Sequence, residues 1–298
     1  MDRDEFLERM PLIDKELANK ETPIHARAFH AFPLLVKNYN GPLLGDGIDV
    51  SHYGEYEGPK LFQKTNKWYR EQYGDRFNAP TNRGKVPVFL RQEVYLIRVP
   101  LVYGSHELQI LPLVNGLTPA MARSLSQSEL YEIQRCFVEG YGLTYEFEDL
   151  MSQLETESRN SVPRKDNPFL ASAVRDKYTA ANCLEGAIDT NGAVFHSQQL
   201  AEKMLKAVML NSTEMCEEDI RKKYNHRIPD VYKDVTNNNA PTAAVASAVQ
   251  QIATYKMDIR YTSDHIPKSE AVAAFWSGLR VGGWCAKLLS GQDRRIQP

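Results

Sequence analysis

The chain changes its hydrophobic period near residue 168. Beyond this point apolar residues recur every three or four positions in four successive segments, which predicts four amphipathic helices. Helices joined by short segments bury their apolar faces against one another, so we expect an all-α antiparallel helical bundle. The four faces consist of Val174, Tyr178, Ala181, Leu184 and Ile188; Val194, Ala201, Met204, Leu205 and Val208; Val245, Val249, Ile252, Tyr255 and Ile259; and Val272, Phe275, Leu279, Ala286 and Leu289.

Residues 86–114 follow a different pattern. They are rich in Val, Leu, Ile and Tyr and come close to a two-residue period, which favours β-strands. Turns are predicted at Arg91-Gln92 and at residues 103–106. The segment therefore contains two or three strands.

Helices are also predicted on both sides of these strands. Amphipathic patterns cover about residues 2–19 and 59–73. Ser126 and Glu129 match a capping box, which predicts the start of a helix that continues to about Gly140. We therefore expect the part of the chain before the bundle to contain both helices and strands.

A polar segment separates the two patterns. Residues 152–168 carry almost no large apolar side chains and contain two prolines, which is typical of a linker. We therefore expect an α+β domain over residues 1–151, of unknown role, and the helical bundle over residues 169–298.

Composition bounds the class of protein. The chain has 298 residues, of which 42% are hydrophobic and 25% charged, as in soluble globular proteins. No apolar run is long enough to span a membrane, and the start lacks the features of a secretory signal. The net charge of −2 means that a nucleic-acid partner would need a local basic patch.

The four cysteines contain no CxxC pair. Free thiols in a reducing compartment are the simplest interpretation, so we expect a cytoplasmic protein without a metal or cofactor. The cysteines are Cys136, Cys183, Cys216 and Cys285.

The sequence RYTSDH, from Arg260 to His265, lies between the third and fourth apolar faces. On one continuous helix five residues turn through about 500°, which leaves the two side chains about 140° apart. They can act together only if a helix ends near Arg260 and the next begins near Pro267. Proline suits the first turn of a helix, and Ser263 or Asp264 could cap it. An ordinary helix–loop–helix joint is the alternative.

Residues 180–210 resemble the first helical hairpin of the HEPN family, the "higher eukaryote and prokaryote nucleotide-binding" domain. The resemblance extends over roughly residues 166–298 and includes Arg260 followed by a loop and an amphipathic last helix. The hairpin residues that carry it are Phe195-His196, Gln198-Gln199, Glu202-Lys203 and Lys206.

The resemblance implies a function. Many HEPN domains are metal-independent endoribonucleases of toxin or defence systems, with an arginine and a histidine four to six residues apart as the active site. Arg260 and His265 fit this spacing. Histidine can exchange the protons of RNA cleavage, and the guanidinium can hold the phosphorane as its charge develops. Substrate contacts are expected from His196, Gln199, His226 and Arg227, with structural roles as the alternative.

One residue departs from the catalytic members. A polar residue commonly follows their arginine, whereas this chain has Tyr261. The pair RY resembles the corresponding residues of HEPN relatives that accompany nucleotidyltransferases. The alternative function is therefore a non-catalytic module that binds a nucleotide or a partner protein, such as a cognate antitoxin or a nucleotidyltransferase-like protein.

The last helix contains Gly278, Gly282 and Gly283 beside Trp276 and Trp284. Glycine weakens a helix unless another backbone approaches closely. The approaching element belongs either to a second protomer, as in the paired HEPN domains, or to the same bundle. A homodimer through the C-terminal bundle is the first of these expectations.

Overall fold

The computed structural model describes residues 1–20, 22, 24–36, 51–74, 82–101, 108–155, 167–186, 188–237, 239–256, 258–262 and 265–291. In these residues the protein is mostly helical, with a small three-stranded antiparallel sheet. The elements are α1 (Arg3–Asn19), α2 (Arg27–Leu35), α3 (Gly58–Tyr73), β1 (Asn82–Leu90), β2 (Glu93–Pro100), β3 (Val114–Asn115), α4 (Pro119–Arg123), α5 (Gln127–Glu155), α6 (Pro168–Cys183), α7 (Thr190–Ser212), α8 (Glu217–Tyr224), α9 (Ile228–Thr236), α10 (Ala243–Ile252) and α11 (Lys268–Ser290).

The chain divides into two compact units. One unit holds residues 1–81 together with 102–106, and the other holds residues 82–101 together with 107–298. The described part of the first unit is helical, and the three strands belong to the second unit.

The predicted domain boundary is therefore wrong. Residues 1–151 do not form a separate α+β domain, because the strands share one hydrophobic core with the helices of residues 169–298. The contact is direct, since the indole Nε1 of Trp276 donates a hydrogen bond of 3.1 Å to the carbonyl of Pro87. Three short strands cannot bury a face by themselves, and here α5 and α11 cover β1.

In the first unit, α1, α2 and α3 pack around an aromatic core. The rings of Phe32 and Phe62 meet edge to face, with centroids 5.6 Å apart. Beside this core Arg27 donates to Asp14 at 2.9 Å, and the hydroxyl of Tyr73 donates to the same carboxylate. The two helices predicted before the strands are confirmed as α1 and α3.

The sheet begins with a tight hairpin. Strands β1 and β2 pair in antiparallel register, and β2 pairs with β3. Arg91 and Gln92 form the predicted turn with positive φ angles of 51° and 65°, as a two-residue hairpin requires. Arg91 also bonds Glu129 of α5 at 2.6 Å, and Glu129 closes the predicted capping box on Ser126. The turn predicted at residues 103–106 lies outside the described residues.

Helix α5 is longer than predicted and takes up the start of the expected linker. It continues past Gly140 to Glu155, because buried residues such as Phe147 extend its apolar face. At the other end of the expected linker, Asn167 is buried and caps α6. Residues 156–166 lie outside the described residues.

Helix α7 lies at the centre of the second unit and packs against α6 and α11. A Cβ atom at Gly278 of α11 would lie 2.5 Å from the carbonyl oxygen of Ser197 on α7. Gly282 and Gly283 approach side chains of α5 equally closely. Packing within one bundle therefore explains these glycines. Among the described residues, no helix combines the length and hydrophobicity needed to span a bilayer.

Candidate functional site

The sequence RYTSDH lies between two helices, as predicted, but the first of them ends well before Arg260 rather than near it. Helix α10 ends at Ile252, and α11 begins at Lys268. Pro267 occupies the N-cap position of α11, one residue before its expected place in the first turn. The two predicted capping residues, Ser263 and Asp264, lie outside the described residues.

Asn191, in the first turn of α7, bonds the backbone between Ile259 and Ile266, the segment that contains RYTSDH. Its Nδ2 atom donates to the carbonyl of Ile259 at 3.2 Å and to that of Thr262 at 3.4 Å. Its Oδ1 atom accepts a hydrogen bond of 3.2 Å from the backbone N–H of Ile266. The backbone on either side of the loop thus converges on one buried carboxamide.

Arg260 and His265 each lie one residue inside the segment that Asn191 holds. Both side chains are exposed. The guanidinium carbon of Arg260 lies 5.5 Å from the ring centroid of Phe195 on α7, a cation–π distance. The loop therefore places Arg260 against α7, the helix that also carries His196 and Gln199.

His196 follows Phe195 on α7 and is oriented by a carboxylate. Its Nδ1 atom lies 2.8 Å from Oδ1 of Asp176 on α6, and Lys203 donates to the other carboxylate oxygen. The rings of Phe195 and His196 meet edge to face, with centroids 5.2 Å apart. Because Nδ1 is occupied, Nε2 is the nitrogen of His196 that remains for a ligand.

A second polar cluster surrounds Glu202, which is buried on α7. Lys206 donates to its Oε1 atom at 2.6 Å, and Gln199 donates to Oε2 at 3.3 Å. Nδ1 of His226, from the turn between α8 and α9, lies 3.1 Å from the same Oε2. The buried side chains of Glu202, Lys206 and Gln199 satisfy one another, and the exposed His226 adds a contact from the surface. Two of the expected substrate contacts are thus brought together.

Arg227 does not join either cluster. It donates to the carbonyl of Lys223 at 2.7 Å and pairs with Asp230 at 2.9 Å, both close to it in sequence. Arg227 is exposed, and its contacts join α8 to α9. They do not bring it into a site with Arg260.

The thiol nearest to the loop is poorly suited to nucleophilic chemistry. Burial, followed by the charge of Asp189, raises the pKa of Cys183, and Arg260 opposes this effect. The carboxylate of Asp189 caps α7 through the N–H of Gly192 at 2.8 Å. The thiol therefore stays protonated near neutral pH.

Lys177 is a functional-site candidate that its sequence position does not indicate. Its ammonium is buried, has no hydrogen-bond partner among the described residues and lies 3.6 Å from Glu148. Burial lowers the pKa of Lys177 to about 8. It faces a narrow cavity of about 10 Å³ beside Gly84 and Tyr178, with room for about one water molecule. The cavity is too small for an organic substrate.

The described residues contain no group of three or more His, Cys, Asp or Glu side chains arranged to hold a metal ion. Models of protein families, curated proteins and solved structures were compared with the chain, and none matches it. HEPN membership therefore stays a prediction from the residues quoted above.

Proposed function

We propose that the loop of residues 253–267 and the adjoining face of α7 form the active site of a metal-independent endoribonuclease. The observation that carries the proposal is the attachment of the loop by Asn191, which holds Arg260 against Phe195. A preorganised guanidinium is the group that phosphoryl chemistry uses to hold developing charge.

The proposed reaction needs only groups of the RNA and of this chain. Neutral His265 removes the proton of a ribose 2′-hydroxyl while the 2′-oxygen attacks the adjacent phosphorus. Arg260 donates hydrogen bonds to the phosphorane. The bond from phosphorus to the 5′-oxygen then breaks, and the protonated His265 donates its proton to that oxygen. The products are a 2′,3′-cyclic phosphate and a 5′-hydroxyl end.

A HEPN-like fold, a cytoplasmic toxin or defence setting and a homodimer through the C-terminal bundle remain parts of this proposal. The three glycines of α11 no longer support the dimer, since they contact the same chain.

The test is incubation of the purified protein with total RNA, with and without EDTA. We expect cleavage that EDTA does not inhibit and fragments that carry cyclic phosphate ends. Substitution of Arg123 and His30, both exposed outside the loop, by alanine provides matched controls that retain cleavage. Complete loss of cleavage in EDTA, or ends of another kind, contradicts the proposed chemistry.

A second function is favoured by Tyr261, whose side chain is 84% exposed next to Arg260. Exposed aromatic and arginine side chains together are typical of the residues that dominate protein interfaces. On this view the loop binds a partner protein, such as an antitoxin or a nucleotidyltransferase-like protein, and cleaves nothing. This function is favoured if the natural protein cleaves no RNA but captures a co-purifying partner, and if the Tyr261→Ala variant no longer captures that partner.

A further inference from the structure

A second cleft lies away from the RYTSDH loop, between α5 and α11. Its volume is about 210 Å³, and β1 and the last turn of α10 complete its walls. Its lining combines apolar side chains with polar groups that can fix the orientation of a ligand.

One wall carries two arginines that share a carboxylate. Arg280 donates to Glu139 through Nε at 2.5 Å and through Nη2 at 3.0 Å, and Arg135 donates to the same carboxylate at 3.1 Å. Arg135 also binds Glu132 through Nε and Nη2, at 2.8 and 2.7 Å. Arg135 is therefore held by two carboxylates, whereas Arg280 is held by one.

Arg280 has donors to spare. A guanidinium has five N–H groups in a planar fork. The hydrogen bonds of Arg280 to Glu139 use Nε and Nη2. Among the described residues, no acceptor bonds its Nη1 atom. Glu139 also fixes the plane of the guanidinium, so the free edge has a defined direction.

The other wall is apolar and rigid. Trp276 is 4% exposed, and its hydrogen bond to the carbonyl of Pro87 fixes the indole. The guanidinium carbon of Arg280 lies 6.0 Å from this ring. Val272 and Phe89 extend the apolar surface of the cleft.

The charges limit the ligand. Arg135 and Arg280 cancel Glu132 and Glu139, so the cleft gives a polyanion such as RNA no net attraction. One carboxylate can still bind the free edge of Arg280 through charge-assisted hydrogen bonds. The body of the ligand must then be apolar, to match Trp276.

We propose that this cleft binds a small organic acid with one carboxylate, held by Arg280, and a planar apolar body that lies against Trp276. The site is independent of the proposed ribonuclease, because it shares no residue with the RYTSDH loop or the polar face of α7.

The experiment is isothermal titration of the full chain with sodium benzoate as the probe and with benzamide as a neutral probe of the same shape. We expect a dissociation constant of about 1 mM for benzoate, as for other ligands of this size. Benzamide should bind at least about tenfold more weakly, because the charge-assisted bond is lost.

Two variants locate the binding. Ala273→Phe fills the cleft without removing an ion pair, so it should abolish benzoate binding while circular dichroism stays unchanged. Arg280→Lys keeps a cation for Glu139 but loses the fork, so it should weaken binding by about tenfold. Equal binding of the two probes, unchanged binding by Ala273→Phe, or no benzoate binding at millimolar concentration overturns the proposal.

Discussion

At the scale of single residues, the carboxamide of Asn191 makes three hydrogen bonds to the loop between α10 and α11. Asn191 therefore helps to fix where the backbone of Arg260 and His265 lies, although it contacts neither reacting group in the proposed mechanism.

Asn191→Ala should release the loop. Loss of three hydrogen bonds leaves part-buried backbone groups unpaired, so we expect the free energy of unfolding to fall by about 1–3 kcal/mol. Hydrogen exchange of the Ile266 amide should become faster, and cleavage should fall with it. Asn182→Ala, an exposed asparagine of α6, is the control and should change stability by less than about 0.5 kcal/mol. Unchanged protection of Ile266 in Asn191→Ala would show that the loop does not depend on this contact.

Lys177 makes stability depend on pH. Its pKa is about 8 in the folded chain and 10.5 as a free side chain. Between these values the unfolded state binds the proton that the folded state has lost, so the free energy of unfolding rises with pH. The full difference is on the order of 3 kcal/mol. Above about pH 9 the raised pKa values of the thiols of Cys136, Cys183 and Cys285 oppose the rise, and above about pH 10 the raised pKa of Tyr178 does so as well.

Chemical denaturation from pH 7 to pH 9, below the range in which the thiols titrate, tests this effect. The rise should be present in the natural chain and absent in Lys177→Met, which should also be more stable at pH 7. Lys222→Met, which changes an exposed lysine, should retain the rise. A flat profile in the natural chain would mean that Lys177 is charged without penalty.

Among the helices, α11 approaches the backbone of α7 closely at Gly278. Gly278→Ala places a methyl group against a backbone carbonyl that cannot move aside, so we expect a loss of about 1–3 kcal/mol. Gly142→Ala is the matched control, since a Cβ there meets nothing within 4 Å. It should stabilise α5 by up to about 1 kcal/mol. Thermal denaturation of both variants should give melting temperatures that move in opposite directions.

Elements with a strong local pattern were predictable from the sequence. The four apolar faces lie on α6, α7, α10 and α11, although Ile188 of the first face lies beyond the end of α6 and Tyr178 is exposed. The hairpin turn at Arg91-Gln92 and the capping box at Ser126 follow from local chemistry. The third face ends early, at Ile252, because the chain turns away to form the loop. Helices α8 and α9 were not predicted.

Contacts between distant elements were not predictable in the same way. The apolar residues of β1 show that the strand needs cover, but not that α5 and α11 supply it. Asp176 illustrates the same limit at the candidate site, since a carboxylate in a helical pattern is normally exposed. Only the packing of α6 on α7 brings it to His196. The histidine itself could be named from the sequence, whereas its partner could not.

At the scale of the whole molecule, the second unit should fold without the first. Its core includes the sheet, α5 and the C-terminal helices. We expect a fragment of residues 82–298 to melt cooperatively, as followed by circular dichroism. A fragment of residues 169–298 should lack a cooperative transition, because β1 and α5 no longer cover α11. Cooperative melting of the shorter fragment would contradict this expectation and would show that residues 169–298 form a domain of their own.

Single-turnover cleavage of RNA by the alanine variants of Arg260 and His265 is the decisive experiment for the proposed active site. Both residues are exposed, so each substitution should change the free energy of unfolding by less than about 0.5 kcal/mol. Loss of their contacts to the transition state should slow cleavage by at least about 100-fold. We therefore expect slow cleavage with unchanged melting for both variants. Cleavage at the natural rate by either variant, or an inert natural protein, would contradict it.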